Sequence, residues 1–371
     1  MKKNIALPGI VIAGILLITG CRKEVLCEKF HLCEINNPQP DADKVQIIAR
    51  SNYTMMLDQD HTLWGTGSND NGSLGDGTED DKHFLVKIME NVKSAASGWQ
   101  STFIVKTDNT LWACGYNENG NLADGTTTDR LAPVKIMDDV KAVSSGAAVS
   151  LILKNDNTVW AAGLNSNGEF GDGSSSGSLF YKKVAENVTA IASGWYHSLI
   201  LKPDNTLWET NIDQRIFVKI MEDVKSVSGG YETTLILKND NSVWGKGDNW
   251  AGQLGDGSFV NKKEPEKIMD NVKAIVSAPY HSMFLKLDNS LWMSGWNASG
   301  QFGNGTKAEY LDFTSTPVKV MEDVHSIAGG DGFSLIIKTD GSIWGAGMNN
   351  AGALGDSTNI DRLTFSPALL R

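Results

Sequence analysis

Residues 244–257 read Trp-Gly-Lys-Gly-Asp-Asn-Trp-Ala-Gly-Gln-Leu-Gly-Asp-Gly, and variants of this stretch recur along most of the 371-residue chain. In each variant the leading tryptophan follows an apolar residue. The series is Trp64, Trp112, Trp160, Trp208, Trp244, Trp292 and Trp344, at spacings of 48, 48, 48, 36, 48 and 52 residues. Self-similarity at a period of roughly 40 to 50 residues is typical of propellers and other repeat arrays.

Alignment on the tryptophans divides residues 44–371 into seven units, which begin at Lys44, Val92, Val140, Val188, Val224, Val272 and Val324. Residues 190–192, 198–202 and 206–208 have the composition of strands, and residues 133–137 supply the fourth strand of a unit. Pairs such as Asp108-Asn109 stand where a primed hairpin turn is expected. The fold class predicted is all-β: a seven-bladed β-propeller of four-stranded antiparallel blades. We expect the N-terminal strands to pair with the C-terminal unit and close the ring.

The repeat pattern Gly-x-x-His-Ser-Leu-x-Leu, followed by Leu-Trp-x-x-Gly-x-Asn-x-x-Gly-Gln-Leu-Gly-Asp-Gly-Thr, resembles the repeat of the regulator of chromosome condensation family. The resemblance covers residues 44–371, or 328 of 371 residues. It implies a seven-bladed propeller, with guanine-nucleotide exchange on a small GTPase or chromatin binding as its functions. A secreted propeller of the same superfamily that inhibits β-lactamases is similar in compartment and in its aromatic loops.

The N-terminus resembles a bacterial lipoprotein signal. Lys2 and Lys3 precede an apolar run at residues 5–18, which is shorter than the ~20 residues that span a bilayer. Residues 17–21, Leu-Ile-Thr-Gly-Cys, match a lipobox, so we expect a signal peptide at residues 1–20 and lipidation of Cys21. A cleaved signal without lipid and an uncleaved anchor are the alternatives. The predicted location is the cell membrane or outer membrane, lipid-anchored and extracytoplasmic.

Residues 21–43 are predicted to be the lipidated cysteine and a tether, because this stretch is polar and contains prolines near its end. Cys27 and Cys33 are close enough to form a disulfide in an oxidising compartment, a pairing that the sequence leaves open. Cys114 stands alone inside a repeat. The chain has no Cys-x-x-Cys motif, which argues against a zinc site and against thioredoxin-like chemistry.

The charge balance argues against nucleic acid as a partner. The chain has 33 Lys and Arg against 44 Asp and Glu, a formal net charge of −11. Binding to a phosphate backbone needs a clustered basic face that displaces counterions. The acidity and the export signal also argue against the chromatin and GTPase partners that the resemblance implies.

Several conspicuous residues follow the repeat and are expected to be structural. The seven aligned tryptophans are predicted to pack between blades. One aspartate per Leu-Gly-Asp-Gly loop is too few for calcium, which gathers about 6 to 8 oxygens, so turn chemistry is expected. His197 and His281 share a slot that also accepts apolar residues, which argues against a catalytic base. The aspartates and asparagines concerned are Asp76, Asp124, Asp172, Asp256 and Asp356, with Asn304 as a variant, and Asn69, Asn117, Asn165, Asn249, Asn297 and Asn349.

The sequence offers no catalytic motif. It lacks His-Glu-x-x-His, the phosphate-binding loop and Gly-x-Gly-x-x-Gly. The carboxylates recur with the repeat, whereas a catalytic pair should break its symmetry. We therefore predict a protein that is not an enzyme, with no catalytic residue, metal or cofactor. A glycan-acting enzyme with two carboxylates is the least favoured alternative.

Aromatic residues at variable loop positions break the repeat. The loops that join strands one to two and three to four share a face, because antiparallel strands alternate in direction. The residues predicted to bind a partner on this face are Trp99, Tyr116, Trp195, Tyr196, Tyr231, Trp250, Tyr280 and Trp296. Loop-borne Trp and Tyr dominate interface hot spots. Packing of these side chains on neighbouring loops is the alternative.

The fourth unit is twelve residues short, the difference between spacings of 48 and 36, and lacks the glycine-rich loop. The resulting gap should be bordered by Trp195 and Tyr196, while the longer sixth unit adds Tyr310 and Phe313. A decayed loop without function would explain the gap equally well.

The favoured function is a membrane-anchored, monomeric binding module that recognises an extracytoplasmic protein or glycan. A structural envelope protein and an inhibitor of a secreted or periplasmic enzyme are the alternatives.

Overall fold

The computed structural model describes residues 45–147, 149–309 and 313–369. The predicted signal peptide, Cys21, Cys27, Cys33 and the tether to residue 43 lie outside these residues, as does Tyr310, so the predictions made for them stay predictions. The described residues form seven four-stranded antiparallel sheets, each built from four consecutive strands. The predicted seven-bladed β-propeller is confirmed.

The strands of blades 1 to 4 have the following bounds. Blade 1 comprises β1 (Gln46–Arg50), β2 (Tyr53–Leu57), β3 (Leu63–Gly67) and β4 (Lys82–Met89), and blade 2 comprises β5 (Val92–Ser97), β6 (Ser101–Lys106), β7 (Leu111–Gly115) and β8 (Arg130–Met137). Blade 3 comprises β9 (Val140–Ser145), β10 (Val149–Lys154), β11 (Val159–Gly163) and β12 (Ser178–Ala185), and blade 4 comprises β13 (Ala190–Ser193), β14 (Ser198–Leu201), β15 (Leu207–Thr210) and β16 (Phe217–Met221).

Blades 5 to 7 repeat the pattern. Blade 5 comprises β17 (Val224–Gly229), β18 (Thr233–Lys238), β19 (Val243–Gly247) and β20 (Lys262–Met269), and blade 6 comprises β21 (Val272–Ser277), β22 (His281–Lys286), β23 (Leu291–Trp296) and β24 (Phe313–Met321). Blade 7 comprises β25 (Val324–Gly329), β26 (Phe333–Lys338), β27 (Ile343–Gly347) and β28 (Arg362–Pro367). A 3₁₀ turn, Asp70–Gly72, lies in the loop of blade 1 between β3 and β4. In the described part of the chain, no helix has both the length and the apolar character needed to span a membrane.

The first strand of each blade is the innermost, a point that the sequence left open. β1, β5 and β9 lie side by side around the axis, and the same relation continues through β13, β17, β21 and β25 back to β1. The second strand of a blade is buried along its length, as in β2 and β10, because a neighbouring blade covers each of its faces. The outermost strand, such as β8, contains only half-buried and exposed residues.

The tight turns between second and third strands use one residue of positive φ rather than the two of a primed turn. Asn109 has a φ of 65°, and its N–H donates to the carbonyl of Lys106 at 2.9 Å. The Asp108 carboxylate accepts the N–H of Thr110 at 3.0 Å and its hydroxyl at 2.7 Å. The turn is therefore a type I turn followed by a left-handed residue, which corrects the predicted turn type. The asparagine supplies the left-handed residue, and the aspartate caps the turn.

The tryptophan series packs between blades, as predicted. Trp112 of blade 2 lies against Met55, Leu63 and Leu74 of blade 1, and each other member of the series lies against the core of the preceding blade. The Trp112 indole N–H donates to the Thr110 hydroxyl at 3.0 Å. The ring is half-buried, so it covers the core and leaves one edge at the surface.

The ring closes by packing and not by exchange of a strand, which corrects the expected strand pairing. β1 pairs with β2, and β28 pairs with β27. Val45 and Met56 of the first unit join Phe333 of the last in one core cluster. The Ser357 N–H also donates to the His83 carbonyl at 2.8 Å. Because the repeat starts at the innermost strand, each unit completes its own blade and leaves no strand to exchange.

Candidate partner-binding face

The loops after the first and the third strand of every blade lie on one side of the ring, since neighbouring strands are antiparallel. We call this side the loop face and the opposite side the turn face. All eight aromatic residues that break the repeat are on the loop face, as predicted.

Five of the eight side chains form a first aromatic cluster, which consists of Trp99, Tyr116, Trp195, Tyr196 and Tyr231. Trp99 lies 5.5 Å from Tyr116 and 6.4 Å from Trp195, measured between ring centroids. Tyr231 lies 4.4 Å from Trp195 and 5.8 Å from Tyr196. These separations are those of mutually stabilising aromatic pairs, with centroids about 4.5 to 7 Å apart. The rings of blades 2 and 4 meet across blade 3.

The other three side chains form a second aromatic cluster with two residues of blades 5 and 6. Tyr280 lies 6.2 Å from Trp250 and 5.5 Å from Trp296. Phe313 extends the cluster, 5.4 Å from Trp250 and 6.4 Å from Phe259. The aromatic side chains therefore form two clusters and not a continuous rim, a grouping that sequence order did not reveal.

The clusters combine packing with exposure. Tyr196 is 42% exposed and Trp250 is 45% exposed, and the other six are half-buried. The rings thus pack on neighbouring loops, as the alternative interpretation held, and still present apolar area to solvent. Side chains fixed in this way lose little conformational entropy when a partner binds.

Backbone hydrogen bonds hold the aromatic loops to one another. The Trp99 N–H donates to the carbonyl of Gly146 in blade 3 at 3.2 Å. The Trp195 N–H donates to the carbonyl of Gly230 in blade 5 at 3.1 Å. Bonds between blades keep the first cluster in a fixed geometry when the ring is folded.

Two tyrosines of the clusters, Tyr231 and Tyr280, stay neutral at physiological pH. The hydrogen bond with Tyr196, burial and the charge of Glu232 raise the pKa of Tyr231. Burial and the charge of Asp331 raise the pKa of Tyr280. A neutral phenol both donates and accepts hydrogen bonds, so these rings offer polar contacts as well as apolar area.

Side-chain hydrogen bonds within each glycine-rich loop hold that loop in its shape. Asn249 donates to the carboxylate of Asp256 at 3.0 Å, and its side-chain oxygen accepts the N–H of Leu254 at 2.9 Å. The second contact recurs for the other five loop asparagines. Burial alone would raise the pKa of Asp256, but hydrogen bonds from Ser258, Lys262 and Asn249 outweigh it and lower the pKa. The loop aspartate therefore acts in turn formation.

Metal binding finds no support in the described residues, where no group of three or more His, Cys, Asp and Glu side chains could hold an ion. Cys114 is buried and free, and burial raises the pKa of its thiol to about 12, so the thiol is unreactive at neutral pH.

Two models of the regulator of chromosome condensation (RCC1) repeat match the chain. One matches residues 92–121, 140–169, 224–253 and 324–353, and the other matches residues 108–153. The chain contains RCC1 repeats. The matched segments begin in blades 2, 3, 5 and 7. No curated protein sequence matches the chain.

Solved structures share the fold of these RCC1 repeats. Human WBSCR16 is similar at 18% identity and a TM-score of 0.71, over 83% of this chain and 93% of that one. Prp20p from Saccharomyces cerevisiae is similar at 18% identity and a TM-score of 0.72, over 88% of each chain. The CRINKLY WD40 ectodomain of the Arabidopsis thaliana receptor kinase ACR4 reaches 13% identity and a TM-score of 0.50, over 82% of this chain and 93% of that one. At these identities the likeness establishes the fold alone.

Blade 4 departs from the others at its long loop. In six blades this loop donates a backbone hydrogen bond to the next blade, to its outermost strand in five cases and, in blade 4, to the loop just before that strand. The bonds run from Gly77 to Leu131, Gly125 to Leu179, Gly173 to Arg215, Gly257 to Ser315, Gly305 to Leu363 and Ser357 to His83, at 2.9, 3.1, 2.7, 2.9, 2.8 and 2.8 Å. Blade 4 has only residues 211–216 here, and no such bond reaches β20 from the described part of blade 4. The predicted gap thus lies between blades 4 and 5; we call it the notch.

The strand left uncovered at the notch is protected by charge. Lys263 and Glu264 of β20 are exposed, where the covered strands of blades 2 and 3 carry Leu131 and Leu179. Charged side chains on an edge strand discourage pairing with other chains. The strand next to the notch thus presents charged side chains to solvent.

Two residues beneath the notch were missed by the sequence analysis. Glu209 stands directly after the repeat tryptophan, where other repeats carry Gly, Ala or Met, and its carboxylate pairs with the Lys246 ammonium of blade 5. Lys246 is equivalent to Cys114, which packs against the covering loop of blade 1 at Gly75. The lysine thus occupies space that the covering loop takes elsewhere. A comparison of the two columns after each tryptophan would have revealed both substitutions.

The two histidines of the shared slot are enclosed in different surroundings. His281 is fully buried, with Nε2 3.0 Å from the Ser334 hydroxyl, and burial lowers its pKa to about 4. His197 lies 3.1 Å from the Thr234 hydroxyl and 3.9 Å from Glu209. Burial lowers the pKa of His197, and Glu209 opposes that shift. These contacts agree with the structural role that was predicted for both histidines.

Proposed function

We propose that this propeller is an interaction module that binds a partner protein through its loop face, with the first aromatic cluster as the centre of contact. The supporting observation is the packed and partly exposed group of Trp99, Trp195, Tyr196 and Tyr231. These residues break the repeat, while the tryptophans that follow the repeat serve the core.

The physical case rests on preorganisation. Aromatic side chains that already contact one another on hydrogen-bonded loops pay little ordering entropy on association, and Trp and Tyr are enriched among interface hot spots. A small recess beside Tyr196 is lined by Trp195 and by the loop of blade 3 at Leu164 and Asn167. Yeast Prp20p, which shares the fold, has binding properties toward Gsp1p and histones, so a propeller of this architecture can serve protein recognition.

Capture on intact cells tests the proposal. The protein and a variant with Trp99, Trp195, Tyr231 and Tyr280 changed to alanine are cross-linked to surface partners, and the captured proteins are compared. We expect a protein that the parent captures and the variant does not, because the variant lacks the apolar area at the centre of the face.

The matched control is Leu287→Ala, since Leu287 is 52% exposed and lies in a turn on the opposite face. Circular dichroism must show that both proteins fold. Capture that survives in the four-alanine variant and fails in the Leu287 variant would place the contact on the turn face. Retention of the parent on polysaccharide without any captured protein would make a glycan the partner.

We further propose that the module is exported and held on a membrane by lipid on Cys21. The support is the Leu-Ile-Thr-Gly-Cys stretch at residues 17–21 behind a short apolar run. Growth with labelled fatty acid should label the parent and leave Cys21→Ala unlabelled. A Cys21→Ala protein that still takes up label and stays in the membrane fraction would refute lipidation at this residue.

A further inference from the structure

Arg50 occupies a position that other blades reserve for very small residues. Arg50 is the last residue of β1 and pairs with Tyr53 of β2. The equivalent pair in blade 2 is Gly98 and Ser101. The equivalent residues in blades 2 to 7 are Gly98, Gly146, Gly194, Gly230, Ala278 and Gly330. A ring of glycine and alanine around the end of the channel is thus interrupted by one arginine.

A cavity of about 230 Å³ lies at this end of the central channel. Its walls come from the inner strands of blades 1, 5, 6 and 7, with apolar side chains such as Ile47, Val276 and Ile327 and the backbone of Gly229 and Gly230. Arg50 contributes the cationic group. A recess with apolar walls and a few polar groups, here Arg50, Ser228 and Ser277, has the character of a small-molecule site.

The Arg50 guanidinium makes no hydrogen bond and no ion pair with the residues that the structure describes. Burial lowers its pKa, and the nearby carboxylate of Asp331 acts in the opposite direction. Asp331 is held instead by blade 1, where its N–H donates to the Ser51 carbonyl at 3.0 Å and the Ser51 hydroxyl lies 3.5 Å from its carboxylate. The Arg50 side chain is only half-buried, so the unused donors of its guanidinium are accessible to a ligand in the channel.

We propose that Arg50 and the walls of the channel form a binding site for a carboxylate carried on a compact apolar group. The guanidinium is a planar fork of donors that matches a carboxylate in two parallel hydrogen bonds. The apolar walls would receive the rest of the ligand. The cavity exceeds the ~150 Å³ apolar cavity that binds benzene in an engineered protein, so a branched aliphatic or single-ring acid fits.

The test uses 4-fluorobenzoate as the probe and fluorine NMR of the full chain as the readout, with 4-fluorobenzamide as the uncharged control. We expect saturable binding of the benzoate and none of the benzamide. Arg50→Gly, which restores the residue of other blades, should weaken benzoate binding about tenfold or more, and Arg50→Lys should weaken it less, because a charged hydrogen bond is lost or made poorer. Asp331→Asn should strengthen binding by removal of a neighbouring negative charge.

The source of the carboxylate is resolved by a second pair of probes. N-acetyl-leucine represents the C-terminal residue of a protein, and isovalerate represents a free acid. Tighter binding of the first favours a protein C-terminus, and tighter binding of the second favours a metabolite.

Stability separates this inference from a purely structural role. If Arg50 served only to neutralise Asp331 at the ring closure, Arg50→Gly would lower the melting temperature and benzoate would bind equally to both proteins. That result, or equal binding of benzoate and benzamide, would overturn the proposal. The inference is independent of the partner proposed above, since loss of capture in the four-alanine variant and loss of benzoate binding in Arg50→Gly are separate outcomes.

Discussion

His281 shows how one residue of the repeat sets a response to pH. Its imidazole is enclosed beside Ser334, and burial lowers its pKa from 6.5 to about 4. Between these values the unfolded chain binds a proton that the folded chain excludes. Stability is therefore complete above pH 6.5 and falls as the pH decreases toward 4, by roughly 3 kcal/mol for this residue.

His281→Phe should flatten that pH dependence, because phenylalanine cannot take up a proton. Phe333 fills the same slot in blade 7, so the repeat accommodates this side chain. Urea unfolding of both proteins at several values between pH 4 and 7 checks the prediction. The comparison cancels the contribution of His197 and of the carboxylates. Parallel curves for the two proteins would show that His281 does not carry the effect.

Local chemistry at the residue scale was predictable because it is complete within one repeat. Asn249 bonds to Asp256 and to the carbonyl of Ser258, which are seven and nine residues away in the sequence. These partners of the side chain are therefore visible in the repeat pattern. Arg50 was predictable in the same way, because the 48-residue period places it in the column of Gly98, but only the aromatic residues of this loop were compared. The strand pairing shows why the substitution matters, since it places Arg50 at the end of the innermost strand.

The notch results from the shortened loop of blade 4, and residues of blades 4 and 5 fill part of the space that this loop leaves. A missing loop should leave a void against blade 5, and the Glu209–Lys246 pair lies in that space with side chains 11% and 18% exposed. Thr234 donates to the Glu209 carboxylate at 3.2 Å. The pair is enclosed enough that removal of one partner leaves an uncompensated charge.

Lys246→Ala should therefore destabilise the protein by about 2 kcal/mol or more, since Glu209 is left without its cation. The double variant Glu209→Ala, Lys246→Ala restores the alanines found in blade 3 at Ala161 and Ala162 and should recover part of the loss. Chemical denaturation of the two single variants and the double variant gives the coupling energy. Additive losses, with a coupling near zero, would show that the pair does not compensate for the loop.

The grouping of the aromatic side chains also belongs to the scale of elements. Sequence order placed all eight on one face, because strand direction fixes which loops share a side. It did not indicate that Trp99 of blade 2 reaches Trp195 of blade 4, since that contact depends on the small first loop of blade 3 at Ala147. Contacts between loops of different blades depend on geometry in three dimensions, which the repeat period does not encode.

At the scale of the molecule, closure is a property of the whole ring. The first and last blades are joined by a shared core and by loop hydrogen bonds, as every other pair of neighbouring blades is joined, so the junction is one more interblade interface. The blade count was predictable from the number of repeats. The sequence did not predict which strand is innermost or that no strand is exchanged at closure. A repeat period fixes the length of a unit but not the strand at which a blade begins.

Deletion of residues 44–58 should abolish cooperative unfolding, because it removes β1 and β2 and opens the core between blades 7 and 1. Thermal unfolding followed by circular dichroism measures this. The control is a circular permutant opened at the turn of residues 222–223, between blades 4 and 5, which retains all strands and should keep one sharp transition. A deleted protein that melts as the parent does would refute the role of closure.

The central claim is that a partner protein binds the loop face at the first aromatic cluster, and site-specific photo-cross-linking on intact cells tests it most directly. A photoreactive phenylalanine analogue replaces Tyr196, which is 42% exposed in the first aromatic cluster, or Leu287, which is 52% exposed on the turn face. We predict that light links a defined protein to the Tyr196 position and none to the Leu287 position. The same protein linked at Leu287, with nothing linked at Tyr196, would contradict the account.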